Sequence, residues 1–161
     1  MGVSGVGKTT IGIDLASVLS ATFLDADSFH SDENISKMKN GSPLSDDDRE
    51  PWLLKLNSAL IKRTKTDNTI VLACSALKKS YRNILLKNIK SYLVIYLYAD
   101  FKIIMHRLAD RKNHFFTSSL LNSQIAILEP PKKKFITQEV NKASKYIIQE
   151  LLYKISAQQS R

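Results

Sequence analysis

The residues with the most evident chemical purpose stand at the start of the chain. Gly2-Val3-Ser4-Gly5-Val6-Gly7-Lys8-Thr9 meets the pattern G-x-x-x-x-G-K-[ST] at every fixed position. The three glycines let the backbone bend until successive N–H groups face a phosphate chain, and the start of the following helix favours the same anion. Lys8 reaches toward the β and γ phosphates, and the Thr9 hydroxyl can ligate Mg²⁺. With Thr10, these residues form the expected ATP-binding set. Residues 10–19 carry apolar side chains at helical spacing, as the helix after such a loop should. Only Met1 precedes Gly2, so the buried parallel strand that anchors such a loop is expected to be largely missing from this chain.

A second constellation is Asp25-Ala26-Asp27, directly after a strand-like run. Residues i and i+2 of an extended segment share a face, so the two carboxylates can converge. One could touch Mg²⁺ or its water while the other accepts the proton of a substrate hydroxyl; a turn-capping pair is the plainer alternative. Arg107 and Arg111 lie one helical turn apart. With Lys112 and His114 they could close over a triphosphate and neutralise charge on the transferring group, or form a solvated face. Arg49 and Arg82 suit a carboxylate ligand, because a planar guanidinium binds one as a fork. Trp52 is either pocket wall or core. Cys74, with no His-Asp pattern around it, reads as a packed residue, and His106 is assigned no role.

The elements that must position these groups alternate between strand and helix, which points to an α/β fold with a parallel sheet and crossover helices. Strands are expected at 22–24, 69–74, 93–98 and, more weakly because of Gln138 and Glu139, at 135–140. Helices are expected at 8–19, 51–63, 79–89, 101–111, 118–128 and 143–156, the last with an apolar core stripe. Residues 31–48 and 114–129 read as working loops. Within the first, Ser45 can cap a helix whose first turn holds Asp46, Asp47 and Asp48. In such sheets ligands gather at the carboxyl ends of the strands.

With 161 residues and 43% apolar composition the chain is read as one domain, 1–161. No apolar stretch approaches membrane-spanning length, and the single Cys74 precludes an internal disulfide; a cytoplasmic location is expected. The formal charge of +9 suits anionic small molecules as well as nucleic acid. The lysines are scattered and no finger, zipper or RNP pattern is present, so nucleic acid is disfavoured.

Further blocks complete the pattern: Phe23-Leu24 before the aspartates, His30, Asn34 through Met38, Asp46-Asp47-Asp48-Arg49 with Pro51-Trp52-Leu53, Cys74-Ser75-Ala76-Leu77-Lys78-Lys79 with Tyr81-Arg82, Ser123-Gln124, and Leu128-Glu129-Pro130-Pro131. Read with the phosphate loop, they resemble the P-loop gluconokinases of the thermoresistant type, relatives of shikimate kinase and the nucleoside monophosphate kinases. The resemblance covers nearly the whole chain in order. It implies a three-layer α/β/α kinase fold with a helical lid at about 112–131, and ATP- and Mg²⁺-dependent phosphorylation of D-gluconate to 6-phospho-D-gluconate. It further implies Asp27 as base or hydroxyl-orienting group and Asp25 with Thr9 on the metal. His30, Arg49, Trp52, Arg82 and His114 would surround the sugar acid, with Arg107 and Arg111 in the lid role. Alternatives are a kinase for another small hydroxy acid such as shikimate, or a degraded nucleotide-binding protein with a regulatory or nucleic-acid role. A homodimer is left open.

Overall fold

The computed structural model describes residues 1–110, 118–132 and 134–159. Four strands form two parallel pairs. β1 (Thr22–Asp25) lies on β2 (Ile70–Ala73), with Asp25 opposite Ala73, and β3 (Val94–Tyr98) lies on β4 (Phe135–Glu139). The register has a functional consequence: Asp25 and Ala73 end side by side, so the loops that follow them emerge together.

β2 and β3 are not hydrogen-bonded to each other. Met1 pairs with the β3 edge instead, its carbonyl accepting from Leu97 N at 2.9 Å and its amine donating to Ile95 O. Gly2 follows at a backbone φ of +149°, and a Cβ there would stand 2.6 Å from Leu97 O. The phosphate loop is thus seated on β3 through a residue that only glycine can be.

Helix α1 (Lys8–Val18) begins where the loop ends. A short 3-10 helix, Ala26–Phe29, then leads to α2 (Asp32–Lys39), which falls in a stretch expected to be a loop. The Ser31 hydroxyl accepts from Asn34 N, Asp32 and Glu33 stand in the first turn, and Lys37 and Lys39 in the last, the charge order that suits the helix dipole. α3 (Asp46–Arg63) starts at the expected Ser45 cap, so that cap and the helix expected from 51 are one element. Ser45 and Asp48 form a reciprocal capping box, and the helix continues through Pro51. α4 (Lys79–Leu85), α5 (Phe101–Ala109), α6 (Ser118–Ala126) and α7 (Ser144–Gln159) complete the order.

β4 forms despite its polar sequence because its buried polar residue is satisfied. Gln138 Nε2 donates to Glu139 O and Glu150 Oε2, and its Oε1 accepts from Lys154 Nζ at 2.8 Å.

The apolar side chains form two clusters. One joins Val3, Val6, Ile11, Leu97, Leu108, Leu121, Ile147 and Leu151 beneath the phosphate loop. The other joins Leu24, Trp52, Leu53, Leu56, Cys74, Tyr81 and Leu85. Ile127, just past α6, packs against both. No helix among the described residues is long and apolar enough to cross a membrane.

Candidate active site

The phosphate loop has the shape its glycines predict. Gly5 and Gly7 hold φ of +80° and +103°, a region costly for other residues. A Cβ on Gly5 would strike Leu108, whereas one on Gly7 would meet only Arg107 Nη1, at 4.0 Å; the loop is therefore packed at its back and open at Gly7. Val3 and Val6 are buried anchors. Lys8 Nζ donates to Val3 O at 3.1 Å, Ser4 N donates to Gln124 Oε1 at 2.7 Å, and Thr9 and Thr10 are exposed on the first turn of α1.

The two aspartates have separable places. Asp25 Oδ2 accepts the Thr9 hydroxyl at 3.0 Å, and its Oδ1 accepts Asp27 N at 3.1 Å, capping the 3-10 helix. The capping reading of the pair is thus observed for Asp25, whose other oxygen stands beside the Thr9 hydroxyl. A hydroxyl and a carboxylate beside an open, glycine-shaped anion cradle fit Mg²⁺, which takes few protein oxygens and keeps several waters. Among the described residues no cluster of three or more His, Cys, Asp or Glu could hold a metal alone, so phosphate oxygens and water would supply the other ligands. Asp27 is exposed and lines the neighbouring cavity.

That cavity, about 340 Å³, is bounded by Lys8 and Asp27 from the loop side and by His30, Arg49, Trp52 and Tyr81 from the other elements, with Ser123 and Gln124 contributed by α6. Trp52 is pocket wall and core together. Its indole N–H donates to Ala26 O at 2.9 Å while its ring stacks on His30, with centroids 4.3 Å apart and planes 13° from parallel. Burial, partly opposed by Asp27, pushes the His30 pKa below its ordinary 6.5, so the ring is neutral at pH 7. His30 Nδ1 is buried without a hydrogen-bond partner among the described residues.

Arg82, expected at the substrate, is placed elsewhere. Its Nη1 donates to Ala76 O at 3.0 Å and Leu77 O at 2.8 Å, and it is not part of the cavity wall. These carbonyls belong to the loop after β2, and the guanidinium braces it. Arg107 lies beside the phosphate loop near Gly7, donating to Val6 O at 3.3 Å and to Val140 O at 2.5 Å. Arg111, His114 and the lid positions 112–117 lie outside the described residues. Cys74 is buried and its thiol is pushed up to about 12, chiefly by desolvation, so it is inert packing. His106, given no role, is exposed and pairs with Asp110 at 2.8 Å.

A family model described as shikimate kinase matches residues 4–156. The chain is 47% identical to a probable gluconokinase of Mus musculus, over 89% of this chain and 88% of that protein. It is 45% identical to the thermoresistant gluconokinase of Escherichia coli K12, over 81% and 75% respectively. The crystal structure of a gluconokinase from Sinorhizobium meliloti 1021 superposes with a TM-score of 0.83 at 36% identity, covering 98% of this chain and 89% of that one. The chain belongs to the gluconokinase family.

Among the blocks that carry the gluconokinase resemblance, Tyr81 and Gln124 had been given no role, yet both line the cavity. The C-S-A-L-K-K and L-E-P-P blocks also meet in space. Glu129 N donates to Leu77 O at 3.0 Å, and Lys79 N donates to the Glu129 carboxylate at 2.6 Å, so Glu129 caps α4 from 50 residues away. Their joint presence in the gluconokinase pattern was the available signal; their contact was not readable from spacing.

Proposed function

We propose that this chain transfers the γ-phosphoryl group of ATP to the terminal hydroxyl of D-gluconate, giving 6-phospho-D-gluconate. As a member of its family it is a phosphotransferase with an alcohol acceptor. The observation that carries the substrate reading is that one cavity is lined by Lys8, Asp27 and Arg49. These are a phosphate clamp, a carboxylate able to take a hydroxyl proton, and a guanidinium suited to an acid. Gluconate carries the matching primary hydroxyl and carboxylate at opposite ends of one molecule.

The loop N–H groups and Lys8 bind the phosphates, Lys8 exchanging the Val3 carbonyl for phosphate oxygens. Thr9 and Asp25 are the residues that would hold Mg²⁺. ATP would supply the phosphoryl group, and Mg²⁺ held there would help neutralise its charge. Asp27 accepts the proton of the acceptor hydroxyl at a carboxylate oxygen and orients that hydroxyl for attack. Arg49 holds the substrate carboxylate, and the stacked His30 and Trp52 rings wall the polyol chain, with neutral His30 able to donate from Nε2. Arg107, with Arg111 from the lid, completes the charge around the transferring group, and His114 joins the residues around the sugar acid. Arg82 serves by holding the 75–77 wall in place. The reaction is placed in the cytoplasm, with no membrane or nucleic-acid partner.

A coupled ADP-release assay with D-gluconate, shikimate and D-glucose tests the reading. Efficient Mg-ATP-dependent turnover is expected with gluconate alone, and glucose, lacking the carboxylate, should be very poor. Preference for shikimate would reassign the acceptor, and nucleotide binding without turnover on any acid would support a binding role instead.

A further inference from the structure

Arg49 has a guanidinium held by one edge. Its Nη1 donates to Leu44 O, to Ser45 O at 3.3 Å and to the Tyr81 hydroxyl at 3.3 Å. Nε and Nη2 make no hydrogen bond among the described residues, which leaves the other edge of the fork for a ligand in the cavity that Arg49 lines. Three acceptors on one nitrogen fix the plane of the group, and a fork is useful only if its plane is fixed.

The Tyr81 contact is itself supported in depth. The phenol donates to Asp46 Oδ1, and Asp46 is gripped by Lys78 Nζ at 2.7 and 2.8 Å from its two oxygens. The Tyr81 ring is buried to 4% exposure, with the Arg49 guanidinium 5.5 Å and the Lys78 ammonium 5.4 Å from its centroid. A phenol that gives its proton to a carboxylate turns its lone pairs toward a donor, so Asp46 sets the direction in which Tyr81 accepts from Arg49. Burial and the bond to Asp46 raise the Tyr81 pKa, which keeps that proton in place through neutral and mildly alkaline pH.

We infer that Tyr81, oriented by Asp46 and Lys78, is a positioning residue that presents the free edge of Arg49 to the acceptor's carboxylate. It makes this acid-reading site a relay of four side chains drawn from α3, α4 and the residue before α4. The inference rests on the proposed role of Arg49.

The test is a kinetic double-mutant cycle in the intact chain with Tyr81→Phe, Arg49→Lys and both together. Tyr81→Phe keeps the ring and removes only the hydroxyl. The expected result is a rise of about tenfold in KM for gluconate, the scale of one hydrogen bond to a charged group. The KM for ATP should stay within about twofold and kcat within about threefold, since removing uniform binding leaves the chemical step alone. In the Arg49→Lys background the further effect of Tyr81→Phe should vanish if Tyr81 acts through Arg49 rather than by touching the substrate from the cavity wall. Asp46→Asn should repeat the Tyr81→Phe pattern more weakly. An unchanged gluconate KM in Tyr81→Phe, beside a raised one in Arg49→Lys, overturns the inference alone. An equal effect of Tyr81→Phe in both backgrounds, or a matching loss in ATP binding, also overturns it by making Tyr81 merely structural. A wild-type chain that does not turn over gluconate overturns both this inference and the reading beneath it.

Discussion

Around Lys8 the site is shaped by the main chain: Gly2, Gly5 and Gly7 hold φ of +149°, +80° and +103°, and the anion cradle is made of their peptide groups. Around Arg49 the site is shaped by side chains. A serine-capped helix, a stacked His30–Trp52 pair and the Tyr81–Asp46–Lys78 relay position the polar groups there. Each half stands on its own apolar cluster. A site built of peptide groups binds what all nucleotides share, and its shape depends on its glycines. A site built of side chains can be retuned to another acceptor without disturbing the first.

The sharpest break is expected at the boundary of the two halves. Asp27→Asn preserves shape and removes the proton acceptor, so kcat should fall about 10²- to 10⁴-fold with a much smaller change in KM for gluconate. Lys8→Ala should cost about 10²- to 10³-fold in kcat with little change in melting temperature. Steady-state kinetics of each variant check both, and turnover within about tenfold of wild type for Lys8→Ala would remove Lys8 from the phosphate clamp.

Next in size is a contrast between two glycines. Gly2→Ala places a Cβ 2.6 Å from Leu97 O at φ +149°, so strain and overpacking together should cost about 2 to 5 kcal/mol. Gly41→Ala, at φ +74° with nothing within 4 Å, should cost only about 1 to 2 kcal/mol. Denaturant unfolding of both variants measures the difference; equal losses would mean that conformation rather than close approach governs the phosphate half.

In the acceptor half the effects should be smaller and should appear in binding. Ser45→Ala removes the capping box of α3, which costs about 0.5 to 2 kcal/mol. Because Arg49 sits in the first turns of that helix, KM for gluconate should rise while KM for ATP holds. The opposite pattern would show that the two halves are not independent.

The smallest effect concerns pH. The folded-state pKa of His30 lies below its unfolded value near 6.5, so the unfolded chain binds more protons in the window beneath 6.5. Stability should therefore fall as pH drops through that window and be flat, for this group, above it. Melting curves from pH 5 to 7.5 for wild type and His30→Gln should show a shallower acid-side slope in the variant.

The same contrast explains what could be read in advance. All four strands fall within a residue or two of their expected places, because alternation of apolar runs with helical spacing reports burial directly. The phosphate loop was legible because glycine positions carry its conformation. α2 went unread although its signals were present: Ser31, then acids, then Lys37 and Lys39, with Gly41 beyond. They were outweighed by the stretch's polarity. Arg82 looked like a ligand-binding arginine, and its guanidinium is found on the carbonyls of Ala76 and Leu77, a placement set by the path of the loop. Gln138 looked unfit for a buried strand, and its partners Glu150 and Lys154 lie on a later helix. Residues whose role is set by local geometry were readable; those whose role is set by distant partners were not.

Asp25 touches both worlds, with one oxygen on the Thr9 hydroxyl and the other on the amide of residue 27. Its charge and the direction of the neighbouring carboxylate are therefore inherited together. A single substitution at residue 25 would free both the Thr9 hydroxyl and the backbone amide of residue 27. The dependence runs one way: residue 27 can change its side chain without disturbing residue 25, whereas residue 25 cannot change without loosening the turn that carries residue 27.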